Sequence, residues 1–189
     1  MNIAITGGIG SGKSFVCRLL EERGIRVYDC DAAAKRLMRT SSKIQSELRN
    51  LVGDEVCKDG VIQKKVLSAF LLESEDHKLA VNEIVHPAVA SDFIHSGYSW
   101  IESAILFDSH FYERVHFGFI VGVTASIEVR TVRIIKRDSI SRDKAMEWIM
   151  SQLPQDKVAA RCDFVINNDG KTPLKPQIEK LLETVREKS

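Results

Sequence analysis

The sequence predicts an α/β fold built on a parallel sheet, and three observations predict it. Short apolar runs of strand composition, at residues 3–5, 26–28, 99–107, 117–123 and 164–166, alternate with stretches of helical composition, the order that produces parallel strands joined by crossover helices. The first run leads, after one residue, into Gly7-Gly8-Ile9-Gly10-Ser11-Gly12-Lys13-Ser14, which fits G-x-x-x-x-G-K-[ST] in register and opens a helix-like stretch at residues 15–22. Between the second and third strands, residues 41–96 drop the alternation for apolar residues at helical spacing.

Taken in order, Ile3-Ala4-Ile5 is a buried strand that Thr6-Gly7-Gly8 closes and feeds into the loop. The helix after the loop stops at Gly24, residues 26–28 form the second strand, and Asp29-Cys30-Asp31 end it before a helix at residues 32–38. Inside 41–96, Ile44, Leu48, Leu51 and Val52, then Val66, Leu67, Phe70 and Leu71, then Leu79, Val81, Ile84 and Val85 recur at helical spacing, with turns near Gly53 and Asp59-Gly60. His86-Pro87 falls in this block, and the proline is expected to start a new helix. Residues 99–107 are expected as one strand ending in Asp108, and residues 117–123 as the next, interrupted by Gly118 and Gly122. Residues 126–137 are helical, 138–142 form a polar connection, and 143–152 are a second helix. Residues 164–166 are the last strand, Asn167-Asn168-Asp169-Gly170 its turn, and 173–186 a closing helix with Pro173 near its start.

A chain of 189 residues supports one well-buried core with small insertions. We therefore expect a single folding unit. With 27 Lys and Arg against 26 Asp and Glu, nothing global calls for a nucleic-acid or membrane partner. Cys17, Cys30, Cys57 and Cys162 are widely separated and show no metal or disulfide spacing. That pattern fits a reducing cytosol. No apolar run has the length of a bilayer span, and Met1 leads straight into strand and loop, so a cytoplasmic location is expected.

The loop carries the clearest chemistry. Its glycines let backbone N–H groups from Gly8, Ile9, Gly10, Ser11 and Gly12 turn inward around phosphate oxygens, and the helix behind them adds partial positive charge. Lys13 then reaches the β/γ-phosphates and the Ser14 hydroxyl ligates Mg²⁺. This is a nucleoside triphosphate site. Asp29 and Asp31 follow the second strand, at the sheet edge where ligands gather. One acid can hold Mg²⁺ through its water shell and the other accept a proton from an attacking hydroxyl, or either can cap the helix that begins there.

Arg130, Arg133 and Arg137, at i, i+3 and i+7, share a helix face. With Lys136, Arg142 and Lys144 they crowd fifteen residues opposed only by Asp138 and Asp143. Guanidinium groups meet charge that builds on a transferring phosphoryl group, so this face and the polar connection after it read as a closing lid. His86 by itself reads as structural, and Asp108 either orients metal-bound water or caps the next segment. A nucleotide-switch GTPase would share the loop, but it also needs a guanine-reading N-K-x-D, which the chain does not contain.

Together, the phosphate loop with Ile5-Thr6 before it, Val27-Tyr28-Asp29-Cys30-Asp31, His86-Pro87, Ile105-Leu106-Phe107-Asp108, Arg133 to Arg137-Asp138, Gln152 and Asp163-Phe164-Val165-Ile166-Asn167-Asn168 resemble the dephospho-CoA kinase family in order and spacing. The likeness runs from residue 3 to about 170. It implies a three-layer P-loop kinase sandwich over residues 1–189, with residues 41–96 as an acceptor-binding insertion and 138–152 as a lid. It also implies transfer of the ATP γ-phosphoryl group, with Mg²⁺, to the ribose 3′-hydroxyl of dephospho-CoA, the last step of coenzyme A synthesis, by a monomer or weak homo-oligomer. On that model Asp31, Lys13 and Arg137 are catalytic, with Asp31 the base. Asp29, His86 and Asp108 stand on the acceptor side with Asp31, Asp29 holds the metal through water, Arg133 and Arg142 belong to the lid, and Asn167 lies near the adenine. Fold does not fix the acceptor, so another small-metabolite or nucleoside monophosphate kinase is the alternative. The chain departs from the family pattern where P-L-L-F-E reads Ala104-Ile105-Leu106-Phe107-Asp108, where Phe15 replaces the Thr after the loop Ser, and at Cys162-Asp163.

Overall fold

The computed structural model describes residues 1–188. Along the chain run β1 (Ile3–Thr6), α1 (Lys13–Glu21), β2 (Val27–Asp29), α2 (Cys30–Thr40), α3 (Ser42–Val52), β3 (Cys57–Lys58), β4 (Val61–Ile62), α4 (Lys64–Glu73) and α5 (Glu75–His95). They are followed by β5 (Trp100–Glu102), β6 (Phe119–Thr124), α6 (Ile127–Asp138), α7 (Arg142–Met150), α8 (Gln155–Ala159), β7 (Phe164–Asn167) and α9 (Leu174–Lys188). The chain divides into two compact units, residues 1–28 with the segment from 98 onward, and residues 29–97.

The first unit carries the five-stranded sheet, ordered β2-β5-β1-β6-β7, with β1 parallel to both neighbours and β6 parallel to β7. Ile3 stands opposite Trp100 on one side and Phe119 on the other, and Ile5 opposite Val121. These side chains cluster with Val16 and Leu20 of α1 and with Ile178, Leu181 and Val185 of α9. Alternation puts Ala4 and Thr6 on the opposite face, and both are buried as well. A strand buried on both faces needs helices on both, which gives the three-layer α/β arrangement. The strand order reverses at β1, so the carboxyl end of β1 is the switch point where such sheets bind ligands.

The second unit packs α2, α3 and α4 against α5. Arg36 of α2 donates to Asp92 of α5 at 2.6 Å. Three details differ from expectation. Pro87 does not begin a helix but lies inside α5, which runs unbroken through it. Proline removes one backbone donor there, yet Val81, Val85, Val89, Ala90 and Phe93 form one buried stripe across the break, and burial along a 21-residue helix outweighs one lost hydrogen bond. Asp59-Gly60 is the tip of a small antiparallel hairpin of β3 and β4 rather than a turn between helices. Both residues have positive φ, +50° and +75°, the geometry in which a two-residue turn matches strand twist.

The strand expected at 99–107 is the third difference, since β5 stops at Glu102. Ser103 N–H still bonds the Ile5 carbonyl at 3.0 Å, but Ser109 N–H then returns to Ile105 O and His110 N–H to Phe107 O, so the chain coils. Leu106 and Phe107 are buried by that coil. A short apolar run reads alike as strand or as any other buried segment. Asp108 therefore sits in a turn, not at a strand end. Among the described residues no helix is long and apolar enough to cross a membrane.

Candidate active site

The phosphate loop leaves β1 at Gly7 and enters α1 at Lys13. Gly12, the residue before the helix, has φ +91° and no side chain to cap it. The first-turn amides of a helix have no carbonyl behind them. Where α2, α3, α5, α6 and α7 place a Ser or Asp oxygen, this one leaves room for an anion. A Cβ at Gly12 would also run into the Asn168 amide nitrogen, so only glycine fits.

Side chains from distant elements hold the loop from outside. Arg130 of α6 donates Nε to the Ile9 carbonyl at 2.8 Å. Arg133, one turn on, donates Nη1 to the Ser11 carbonyl at 3.1 Å and Nη2 to Asn168 Oδ1 at 3.3 Å. Asn168 Nδ2 also donates to the Ser11 carbonyl, at 2.8 Å. The Ile9 N–H, expected to turn inward with the other loop amides, is instead taken by Gln152 Oε1 at 2.7 Å, because the side chain arriving from beyond α7 supplies the acceptor. Burial lowers the Arg130 pKa from its ordinary value, the cost of moving a charge out of water. Ser11 Oγ is fully buried and has no hydrogen-bond partner among the described residues.

Lys13 is buried, and its ammonium turns back to the Gly7 carbonyl at 2.7 Å. Glu102 Oε1, at the end of β5, lies 3.8 Å from it. Ser14 is exposed in the first turn of α1. Residue patterns alone assigned no role to Glu102, placed Arg130 on a lid face rather than on the loop, and brought in Gln152 and Asn168 only through the family likeness. For Glu102 a signal existed, an acid at the carboxyl end of a strand beside β1.

The three lid arginines separate. Arg130 and Arg133 face inward onto the loop, whereas Arg137 is exposed and chelates its neighbour Asp138 through Nε and Nη2, at 3.0 and 2.7 Å. The hydrogen bond to Asp138 raises the Arg137 pKa, and the same contact lowers that of Asp138. Seven residues carry Arg137 about 10 Å further along the helix than Arg130, beyond the loop carbonyls. Arg142 opens α7 and is exposed. Between the two helices lie only residues 139–141.

Asp108 Oδ1 accepts the Leu153 N–H at 2.8 Å. Asn167 is exposed, with its backbone bonded in both directions to the Gln177 amide and its Nδ2 to Asp169 Oδ2 at 3.1 Å. Asp169 accepts the Thr172 and Lys171 N–H groups as well, which pulls its carboxyl down to about 2. In the second unit Asp29 caps α2, its Oδ1 accepting from Ala32 N–H at 2.9 Å. Asp31 is exposed in the first turn of α2, and His86 is half-buried on α5. Their two helices pack on each other.

A glycine loop that wraps an uncapped helix start at the switch point of a parallel sheet, with a buried lysine at its end, defines a P-loop nucleotide-binding protein. The model of the dephospho-CoA kinase family (CoaE) matches residues 1–173. The chain is 40% identical over 193 aligned positions to the dephospho-CoA kinase of Bacteroides fragilis, covering 96% of this chain and 91% of that one. To the dephospho-CoA kinase of Porphyromonas gingivalis it is 36% identical, covering 100% and 96%. A crystal structure of a Thermus thermophilus protein superposes with a TM-score of 0.80 at 28% identity, over 98% of this chain and 96% of that one. The chain belongs to the dephospho-CoA kinase family, and it is an ATP-dependent phosphotransferase with an alcohol group as acceptor.

Proposed function

We propose that this protein transfers the γ-phosphoryl group of ATP to the ribose 3′-hydroxyl of dephospho-CoA, releasing ADP and coenzyme A. The observation that carries the ATP half is the uncapped start of α1 beneath a loop whose outward carbonyls are already held. The family match across residues 29–97 supports the acceptor half. Residues 41–96 then bind the acceptor and residues 138–152 act as the lid.

Lys13 exchanges the Gly7 carbonyl for phosphate oxygens, a stronger, charge-assisted partner. Asp31 takes the proton from the acceptor hydroxyl, and His86 and Asp29 line the acceptor side. Arg137 gives up Asp138 for the transferring group, with Arg142 beside it and Arg133 holding the loop. Asn167 lies near the adenine. Mg²⁺ suits the hard oxygen donors available, the Ser14 hydroxyl directly and the Asp29 carboxylate through water, with Glu102 a further acid near Lys13. When bound, the ion neutralises charge on the β- and γ-phosphates. A cytoplasmic monomer or weak homo-oligomer completes the reading.

The test is ADP release from purified protein with ATP, Mg²⁺ and one acceptor at a time. Dephospho-CoA should be turned over well and AMP and shikimate poorly. Preference for AMP or shikimate would move the protein to another acceptor on the same scaffold.

A further inference from the structure

Two long-range hydrogen bonds meet in the dipeptide Gln152-Leu153, just past α7. The Leu153 N–H is taken by Asp108 Oδ1 at 2.8 Å, and the adjacent Gln152 Oε1 takes the Ile9 N–H at 2.7 Å. The same Gln152 oxygen lies against Gly8, 3.2 Å from where a Cβ would stand. Arg130 holds the Ile9 carbonyl. Ile9, in the middle of the phosphate loop, is thus gripped at its N–H by Gln152 and at its carbonyl by Arg130. A flexible amide side chain fixes a loop only if its own backbone is fixed, because otherwise its rotamer freedom opposes the bond. The Gln152 backbone lies just past α7, where its own N–H makes a long bond to the Ile149 carbonyl at 3.4 Å, and the shorter Leu153 bond to Asp108 ties the dipeptide to a distant segment.

We propose that Gln152 is a positioning residue for the phosphate loop and that Asp108 acts through it, rather than on the acceptor. A loop whose shape is already fixed does not have to be ordered when the triphosphate arrives, which favours affinity without any new contact to ATP. The bond to Leu153 needs an acceptor oxygen at position 108, not a negative charge. The shorter Asp in place of the family Glu then costs nothing, provided its oxygen reaches that N–H.

The inference rests on the nucleotide half of the proposed function, so the experiment is ATP binding by calorimetry on the intact protein without acceptor. Gln152→Ala should weaken ATP by about 5-fold to 10-fold, the scale of one lost loop hydrogen bond. Asp108→Ala should do nearly the same, Asp108→Asn should recover most of that loss, and the double alanine variant should be no weaker than Gln152→Ala, because the two act in series. In turnover assays Asp108→Ala should raise KM for ATP and leave KM for dephospho-CoA alone. Circular-dichroism melting checks that each variant is folded, and Gln152→Met, which keeps length without the acceptor, replaces Gln152→Ala if that variant does not fold. Asp108→Asn as weak as Asp108→Ala, losses that multiply in the double variant, or a raised KM for dephospho-CoA with ATP affinity intact would each overturn the positioning role. Wild-type protein that binds no ATP would overturn the nucleotide reading and this one with it.

Discussion

Asp29 and Asp31 are two residues apart, yet their surroundings differ. Asp29 spends one oxygen on the Ala32 N–H, which fixes its carboxyl at the start of α2, whereas Asp31 lies exposed in the first turn. A fixed carboxyl suits water-mediated metal binding and an accessible one suits proton transfer. Asp31→Asn should therefore lose about 10²- to 10⁴-fold in kcat with little change in ATP affinity, while Asp29→Asn should need more Mg²⁺. A Mg²⁺ titration of both variants decides it, because rescue of Asp31→Asn by excess Mg²⁺ would exchange the roles. Ser11 offers a second test. Its buried hydroxyl has no hydrogen-bond partner among the described residues, so Ser11→Ala should raise thermal stability by about 1 kcal/mol. A lower melting temperature for Ser11→Ala would mean that the hydroxyl has a partner after all.

At the scale of elements, α6 does two jobs along one face. Its first two arginines are part of the phosphate loop's scaffold, and its last faces solvent beside the short link to α7. An exposed ion pair such as Arg137–Asp138 adds little stability. Arg137→Lys should therefore leave the melting temperature unchanged but lower kcat by roughly 10-fold or more, since lysine keeps the charge and loses the two-pronged donor. Unchanged kcat in Arg137→Lys would return this arginine to an ordinary surface role. The turn after β7 answers to pH. Asp169 is depressed from 3.8 to about 2 by the Thr172 and Lys171 amides, so its contribution is full above the ordinary carboxylate range and fades as pH falls from about 4 through about 2. Carboxyl NMR should show Asp169 titrating near 2, and the Asn167 side chain, bonded to it, loosening over the same interval. A midpoint near 4 would contradict the turn geometry.

For the whole molecule, the decisive quantity is how much binding energy the acceptor's arm contributes. Adenosine presents the same 3′-hydroxyl without pantetheine or pyrophosphate. Contacts from residues 41–96 to those groups would be lost, and kcat/KM should fall by about 10²-fold or more, equivalent to about 3 kcal/mol of transition-state binding. ATP affinity, measured without acceptor, draws on none of those contacts and is independent of this comparison. Equal kcat/KM for adenosine and dephospho-CoA would remove the acceptor role of the helical segment while leaving the phosphotransferase intact. ATP alone, at about 100 times its Kd, should stabilise the protein by about 2.7 kcal/mol.

What the sequence determined by itself was whatever depends on neighbours along the chain. The phosphate loop, the alternation of strand and helix and the helices that fill residues 41–96 on either side of the β3–β4 hairpin are local patterns, and local backbone geometry enforces them. The inward direction of Asn168 was not among them: Phe164-Val165-Ile166 is apolar throughout, and only the folded strand, which buries Ile166 and exposes Val165 and Asn167, shows the period of two that turns Asn168 toward the interior. Where the pattern was ambiguous, only tertiary structure decided. The apolar run after Glu102 coils because the core accepts it as a turn, and α5 passes through Pro87 because its buried stripe continues on both sides. The partners that scaffold the loop were not legible from any local pattern. Arg130, Gln152 and Asn168 meet it from 121, 143 and 157 residues away, and hydrogen bonds across such separations exist only once the sheet has brought the carboxyl ends of β1, β6 and β7 side by side.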